Sequence, residues 1–242
     1  MSTLRANAKL TLSLRITGLR EDGYHLIDAE MVSLALADTV EIDEAPVTTI
    51  GIDGPFAEGV PTDRSNLVTR ALTLAGRTAR VGITKNIPNG GGLGGGSTDA
   101  AAVLVWAGFT DLQAASALGA DIPFCMTGGR ARVTGAGEVI EPLPPRDLVV
   151  TLFVPPLHVP TPAVYRAWDE LGGPHHDSGN DLTDAALAVE PELARWRDMI
   201  RHATGQVPVL AGSGATWFLR GDHSGAASAL PGAAVITTNT RP

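Results

Sequence analysis

The sequence predicts an α+β protein of two domains, and three observations support this. Residues 7–17 alternate strictly between apolar and polar side chains, which is the period of a half-buried strand. Further strand-like segments are separated by one or two helices, without the regular alternation of a parallel α/β sheet. Pro142, Pro144 and Pro145 then interrupt the chain. We therefore expect one domain over residues 1–145 and a second over residues 146–242.

The first predicted strand carries polar residues on one face. Its even-numbered apolar residues, 8 to 16, face one way, and Lys9 and Thr11 project together from the other side. For a single such strand, a solvated polar face is the simplest explanation. The dipeptide Asp22-Gly23 predicts a turn that presents Tyr24 and His25.

The remainder of the first half alternates between short strands and helices. Strands are expected at 32–36, 39–43, about 47–52 and 79–87, and a helix over 66–76 that Ser65 caps and Gly76 ends. Helices follow at about 98–107 and 112–118. The second of these ends at a turn that places Asp121 between Gly119 and Pro123. Residues 130–134 and 138–140 predict a hairpin around 135–137.

The second half predicts a helix–strand–strand–helix–strand order after an apolar strand at 148–154. Thr161 is expected to cap a helix that has Pro162 in its first turn and carries Tyr165 and Trp168. A helical region over 181–203, interrupted near Pro191, precedes strands at 207–211 and 215–219, which flank a turn at 212–214. A short helix and a strand at 233–237 complete a split-βαβ sandwich. The loop pair His175 and His176 lacks further ligands at metal spacing and is expected at the surface.

The most distinctive segment is IPNGGGLGGGSTDAAA, residues 87–102. Two glycine triplets, 90–92 and 94–96, permit a tight loop with exposed amides, and such amides bind anions. Ser97, Thr98 and Asp99 are candidates for the cap of the helix that follows. The positive end of that helix would act on the same point. The segment therefore predicts a cradle for a polyphosphate.

Three alternatives compete with the cradle. Gly90, Gly92 and Gly95 match the G-x-G-x-x-G pattern of dinucleotide-binding folds, but those folds begin the helix inside the pattern, whereas these glycines continue past it. A Walker A loop is excluded because no Lys follows the last glycine. A flexible linker is disfavoured because apolar segments flank the glycines on both sides.

Composition narrows the classes of function. The net charge of −8 argues against binding to nucleic acid or to an anionic membrane surface. The single cysteine, Cys125, excludes an internal disulfide. No signal pattern or long apolar segment is present, so we expect a cytoplasmic protein. Among 18 basic residues only Lys9 and Lys85 are lysines, which suggests that each is kept where a compact ammonium is needed.

Five segments, taken in order, identify a resemblance. AKLTLSLRITGLREDGYH, PNGGGLGGGSTDAAA, LGADIPF, PTPAVY and GSGATWF resemble the GHMP kinases over nearly the whole chain. The glycine loop is the ATP motif of that family, and the GYH and LGADIP elements narrow the resemblance to one of its members. The resemblance implies a ribosomal-S5-like N-terminal α+β domain and a ferredoxin-like C-terminal α/β sandwich.

The resemblance also implies an activity. The matching family member uses ATP and Mg²⁺ to phosphorylate the 2-hydroxyl of the methylerythritol moiety of a cytidine diphosphate conjugate, in the non-mevalonate isoprenoid route. Lys9 and Asp121 match its catalytic residues. Tyr24, His25 and Tyr165 match residues around the cytosine, and Thr11 falls at the sugar alcohol. The positions that match its ATP site are Asn66, Pro88, Asn89, Gly90, Gly91, Gly92, Leu93, Gly94, Gly95, Gly96, Ser97 and Thr98.

These residue types suit phosphoryl transfer, which depends on positioning and charge neutralisation. Lys9 can bridge the transferring phosphate and hold Asp121, which can orient the acceptor hydroxyl and accept its proton. Because a carboxylate is a weak base for an alcohol, late proton transfer is expected. Ser97 and Thr98 are candidate contacts for Mg²⁺. Tyr24 and Tyr165 are the only tyrosines and could sandwich a base.

The chain departs from the family pattern at three places. Thr11 stands where the family usually has Asn, Asn89 replaces an apolar residue, and the stretch between residues 102 and 121 is short. Two alternatives stay open: a GHMP kinase for another small alcohol, and a nucleotide-binding homologue with weak or no turnover. The expected partners are small molecules only, and the chain is expected to be a monomer or a homodimer.

Overall fold

The computed structural model describes all residues, 1–242, and contains ten strands, seven α-helices and one 3₁₀ helix. The strands are β1 (Ser2–Leu19), β2 (His25–Glu44), β3 (Thr49–Asp53), β4 (Ala79–Thr84), β5 (Arg130–Gly135), β6 (Val139–Pro142), β7 (Val149–Val154), β8 (Val209–Leu210), β9 (Trp217–Arg220) and β10 (Ala234–Arg241). The helices are α1 (Leu67–Leu74), α2 (Gly95–Trp106), α3 (Leu112–Ser116), α4 (Ile122–Thr127), α5 (Thr161–Glu170), α6 (Thr183–Val189), α7 (Glu192–Thr204) and the 3₁₀ helix Ser224–Ala229. The predicted α+β class is confirmed.

Strand β2 is the central strand of the sheet in the first half. It forms a long hairpin with β1, and its other edge pairs in turn with β5, β10 and β4. The prediction of two separate strands at 32–36 and 39–43 is therefore wrong. The intervening residues Ala37 and Asp38 stay paired with β1, because the carboxylate of Asp38 is buried and accepts hydrogen bonds from the amides of Asn86 and Ile87.

The second half confirms the split-βαβ prediction. Its sheet has the order β10–β7–β9–β8 and every neighbouring pair is antiparallel, as this topology requires. Helices α5, α6 and α7 connect β7 to β8, and the 3₁₀ helix connects β9 to β10. The predicted interruption near Pro191 is also confirmed, since α6 ends at Val189 and α7 begins at Glu192.

The two halves are joined by pairing and by packing. Strand β10 pairs with β7 along most of its length and with β2 at Thr240 and Arg241. The largest apolar cluster contains residues of both halves, including Leu14, Phe124 and Trp217. Of the even-numbered residues of β1 from 8 to 16, Leu14 and Ile16 belong to this cluster, and Ala8, Leu10 and Leu12 belong to another one. The domain boundary at residue 145 stays a prediction.

Helix termini account for most of the local errors. Asn66, not Ser65, caps α1: its side chain accepts from the amide of Val68 at 2.8 Å. Helix α2 begins at Gly95 rather than near Thr98, after Gly94 in a left-handed conformation, so Ser97, Thr98 and Asp99 lie inside it and cap nothing. Thr161 is the first residue of α5 and makes no cap hydrogen bond. Helix α4 begins directly after Asp121, where the sequence predicts only a turn.

None of the helices combines the length and the apolar character that a membrane crossing would need.

Candidate active site

A cavity of about 590 Å³ lies between the β1–β2 hairpin, the glycine loop, the N-terminus of α4 and helix α5. It is lined by 23 residues from both halves of the chain. Eight of the residues predicted for the site line this cavity together: Lys9, Thr11, Tyr24, His25, Gly92, Ser97, Asp121 and Tyr165. Residues more than 150 positions apart in sequence therefore share one space.

Lys9 and Asp121 form an ion pair at one end of the cavity. Lys9 Nζ lies 3.1 Å from Asp121 Oδ2, with the lysine side chain 7% exposed and the aspartate side chain 30% exposed. Lys9 Nζ also donates to Thr11 Oγ1 at 3.3 Å, so Thr11 helps to hold the ammonium. Asp121 precedes α4 without making a cap hydrogen bond, which leaves its carboxylate free to meet the lysine. Lys9 and Thr11 are both buried, so this part of the polar face of β1 is not solvated.

The glycine loop presents a row of free amides next to this pair. The N–H groups of residues 90–97 donate to no backbone or side-chain acceptor of the protein, although the loop is folded tightly. Eight consecutive unpaired amides thus lead into the first turn of α2, an arrangement of the kind that binds anions in other proteins. The loop is tied to β1 because the Lys9 amide donates to the Leu93 carbonyl at 3.0 Å.

The loop has no space for side chains at two glycines, one against the second half and one against β1. Gly92 has φ +76°, and a Cβ there would lie 2.6 Å from the Gly214 carbonyl oxygen. At Gly94, with φ +72°, a Cβ would lie 2.8 Å from Cγ of Lys9. The hydroxyl of Thr216 donates to the Gly91 carbonyl at 2.5 Å. The Gly212–Gly214 turn therefore closes the loop from the side of the second half.

The opposite end of the cavity is aromatic. Tyr24 is largely exposed in the β1–β2 turn, and His25 begins β2. The His25 ring lies 4.8 Å from the Tyr165 ring between centroids, tilted by 36°, and 5.7 Å from Trp168, edge-on. Burial raises the pKa of Tyr165, and the charge of Asp121 adds to this effect, so the phenol stays neutral. Flat rings and polar groups at this end are suited to a nucleobase.

A buried cluster of three charged side chains holds together the segments before and after the glycine loop. Lys85 Nζ pairs with Asp38 and, at 2.6 Å, with Asp99 Oδ2; all three side chains are almost fully buried. Burial raises the pKa of Asp99 to about 7; Lys85 opposes this rise and Asp38 adds to it. Asp99 Oδ1 is buried with no partner. The cluster fixes the first turns of α2 to β2 and to the segment that follows β4, and both lysines of the chain are buried.

The remaining residues predicted for ATP do not line the cavity. Asn66 uses its side chain to cap α1 and to donate to the Pro61 carbonyl at 2.6 Å. The Thr98 hydroxyl donates to the Asn7 carbonyl at 2.7 Å, so of the two candidate contacts for Mg²⁺ only Ser97 faces the cavity. The others belong to the glycine loop or directly precede it and do not line the cavity: Pro88, Asn89, Gly90, Gly91, Leu93, Gly94, Gly95 and Gly96.

Sequence reasoning missed several residues of the cavity. Arg166 and Asp169 of α5 line it, as do Asp22, Gly212 and Ser213. Pro162, Tyr165, Arg166 and Asp169 have the i, i+3, i+4, i+7 spacing of one helix face, and this signal could have identified Arg166 and Asp169 once Tyr165 was chosen.

The topology rejects a dinucleotide fold. The sheet is antiparallel apart from the β3–β4 pair, so the repeated parallel βαβ units of that fold are missing. The reason given from the sequence was wrong, because helix α2 does begin inside the glycine pattern, at Gly95.

Comparisons with known proteins agree with this geometry. The family description "GHMP kinases N terminal domain" matches residues 66–129. The 4-diphosphocytidyl-2-C-methyl-D-erythritol kinase of Paracoccus denitrificans is 40% identical over 232 residues, which cover 88% of this chain and 84% of the relative. The enzyme of the same name from Cereibacter sphaeroides is 38% identical over 246 residues, with 90% and 88% coverage.

Solved structures give the same result at the level of the fold. A crystal structure of 4-(cytidine 5′-diphospho)-2C-methyl-D-erythritol kinase superposes with a TM-score of 0.80 at 31% identity, covering all of both chains. The mevalonate kinase of L. major reaches a TM-score of 0.69 at only 14% identity over 100% of this chain and 96% of that one, which shows a common fold alone.

Proposed function

The chain belongs to the 4-diphosphocytidyl-2-C-methyl-D-erythritol kinases of the GHMP family, and from this premise we propose that it transfers the γ-phosphoryl group of ATP to the 2-hydroxyl of 4-diphosphocytidyl-2-C-methyl-D-erythritol. The single observation that carries the proposal is the Lys9–Asp121 pair, 3.1 Å apart in a cavity that has free amides at one side and aromatic rings at the other.

The amides of residues 90–97 bind the phosphates of ATP in this proposal. These N–H groups have no hydrogen-bond partner in the protein, so no hydrogen bond has to be broken when the phosphate oxygens bind. The positive end of α2 adds to their attraction for an anion, and a preformed set of donors costs little reorganisation. The free amides thus hold the terminal phosphate near Lys9.

Lys9 and Asp121 then divide the work of transfer. The ammonium of Lys9 neutralises charge on the transferring group, and the carboxylate of Asp121 orients the 2-hydroxyl. It accepts the proton of that hydroxyl as the new P–O bond forms and the bond from the γ-phosphorus to the bridging oxygen breaks, with ADP as the leaving group. Because the pair is largely shielded from water, its electrostatic effect on the phosphoryl group is stronger than in solvent.

Mg²⁺ is part of the proposal as a companion of ATP. No group of three or more His, Cys, Asp or Glu side chains could hold a metal by itself, and Mg²⁺ is commonly bound through phosphates, waters and one or two protein oxygens. The Ser97 hydroxyl and the Asp121 carboxylate fit that requirement. When bound, the ion would neutralise charge on the phosphates.

The substrate end supports a cytidine nucleotide over a small alcohol alone. Tyr24, His25 and Tyr165 lie around the far end of the cavity, where a homoserine or a simple sugar would leave the rings unused. A cytoplasmic location and a homodimer or monomer stay predictions.

The test is a coupled ADP-release assay with purified protein, ATP and the cytidine diphosphate conjugate. We expect release of ADP that depends on both substrates. Release with homoserine or a sugar, and none with the conjugate, would replace this proposal with a kinase of another alcohol. ATP binding without ADP release from any acceptor would identify a nucleotide-binding homologue.

A further inference from the structure

His25 is held on three sides by one face of α5. Tyr165 stacks against its ring, Trp168 contacts it edge-on, and the Asp169 carboxylate oxygen Oδ1 lies 2.8 Å from Nε2. These three residues stand at i, i+3 and i+4 of the helix. The His25 side chain is only 10% exposed, whereas Asp169 is 49% exposed. Trp168 is itself anchored, because its Nε1 donates to the Pro174 carbonyl at 2.9 Å.

The contact with Asp169 determines the role of each ring nitrogen. An ionised carboxylate can only accept hydrogen bonds, so Nε2 must carry the proton in the His25–Asp169 bond. In a neutral imidazole the other nitrogen, Nδ1, is then an acceptor. Nδ1 of His25 has no partner in the protein, and it is not among the buried polar atoms that lack one. It is therefore accessible at a residue that lines the cavity.

We propose that Asp169 is a positioning residue that keeps the proton of His25 on Nε2, so that the base end of the site selects an exocyclic amino group over a carbonyl. This inference rests on the proposed function, which brings a pyrimidine to that end. Cytosine carries a 4-amino donor, whereas uracil has a 4-carbonyl acceptor at the same position. An acceptor at Nδ1 can accept a hydrogen bond from the amino group of cytosine, but it repels the carbonyl oxygen of uracil.

The pair has little other purpose in the fold. Asp169 is half exposed, and ion pairs of that kind add little to stability. The bond joins residues 144 positions apart, at the junction of the β1–β2 hairpin and the second half. Its main consequence is the orientation and the protonation pattern of a ring that is otherwise enclosed.

The first experiment reads the tautomer directly and needs no turnover. Long-range ¹H–¹⁵N spectra of protein labelled at histidine distinguish a ring protonated at Nε2 from one protonated at Nδ1, and a His25→Gln variant assigns the signals. We expect the Nε2–H form in the wild type and in Asp169→Glu, and a mixture in Asp169→Asn, whose amide can either donate or accept. Glu170→Gln is the matched control, since Glu170 is the next residue of α5, is exposed and does not line the cavity.

The second experiment measures discrimination in the ADP-release assay. The kcat/KM ratio of the cytidine conjugate to its uridine analogue should fall by about tenfold or more in Asp169→Asn, the range expected for one hydrogen bond to a charged group. Most of the change should lie in the KM for the uridine analogue, because a tautomer mixture still contains the form that accepts from cytosine. The KM for ATP and kcat should vary by less than about threefold, and Glu170→Gln should match the wild type.

Two results would overturn the inference. One is a wild-type His25 protonated at Nδ1; the other is an Asp169→Asn variant that keeps both the wild-type tautomer and the wild-type ratio. Melting curves of each variant establish that it is folded. If the wild type released no ADP with the conjugate, the proposed function would fail, while the spectra would still decide the tautomer.

Discussion

Replacing Asp121 with Asn tests the assignment on which the proposed mechanism depends. The substitution keeps the size of the side chain and an oxygen that can accept from Lys9 Nζ, now 3.1 Å from the carboxylate. It removes the negative charge and the ability to take up a proton. It leaves untouched the free amides of residues 90–97, to which we assign the phosphates of ATP. We therefore expect a loss of transfer with little loss of ATP binding.

The magnitudes follow from the chemistry and the exposure of the pair. Loss of a general base lowers a rate by ~10²–10⁴, which corresponds to a rise of about 3–5 kcal/mol in the barrier. Stability should fall much less. A hydrogen bond between charged groups contributes about 1.5–3 kcal/mol, but Asp121 is 30% exposed and Asn replaces part of the bond, so about 1 kcal/mol is expected.

The assay measures kcat by coupled ADP release, ATP affinity by titration and stability by urea unfolding. Asp147→Asn is a suitable control because Asp147 is exposed, lies outside the cavity and forms no ion pair. We expect the control to equal the wild type in all three measurements. A variant at position 121 with turnover within about threefold of the wild type would refute the role of Asp121 as base and orienting group.

Three further predictions concern the base, the loop and the buried cluster. Tyr165→Ala should raise the KM for the cytidine conjugate by about tenfold, the effect of ~1–3 kcal/mol for one stacked base, and should leave the KM for ATP nearly unchanged; equal rises would mean that the ring only packs. Gly92→Ala, whose Cβ would meet the Gly214 carbonyl at 2.6 Å, should weaken ATP binding by about tenfold or more in a titration, since positive φ alone costs roughly 1–2 kcal/mol and the contact adds to it. Gly59→Ala has nearly the same φ, +75°, with no neighbour within 4 Å, and if it weakened ATP binding equally the loop contact would be irrelevant. Because the pKa of Asp99 is raised to about 7, the folded protein retains a proton that the unfolded chain loses near pH 4, so this group destabilises the fold progressively as the pH rises from about 4 to 7. Asp99→Asn should therefore gain about 2–3 kcal/mol relative to the wild type between pH 5 and pH 7.5 in urea unfolding, and a difference independent of pH would contradict the raised pKa.

The parts of the candidate site that could be predicted are those that a single local sequence pattern indicates. Alternation in β1 placed Lys9 and Thr11 on one face, and the glycine triplets predicted a row of free amides. The scarcity of lysine gave a weak signal for both buried ammonium groups, Lys9 and Lys85. Each of these patterns lies within a short stretch of chain, where spacing and geometry are directly related.

The sequence could not predict contacts that depend on tertiary pairing. Asp38 resembles the polar end of a strand until the segment that follows β4 supplies Lys85 and two amides to it. Asp99 resembles a helix cap, yet the helix starts four residues earlier because Gly94 adopts a conformation that releases the chain into α2. Asp169 is an ordinary exposed helix residue until the β1–β2 hairpin brings His25 to it.

Helix α5 spans the distance between the two ends of the cavity. At its start Thr161 bonds to Ser213 of the turn beside the glycine loop, at 2.8 Å, and near its end Asp169 bonds to His25. Eight residues of helix separate these contacts, about 12 Å along the axis. The length of the helix thus fixes the distance between these two contacts, and with it the length of a molecule that can touch both ends of the cavity at once. One inserted residue would turn the far end of α5 by about 100°, so the helix tolerates substitutions better than any change in its length.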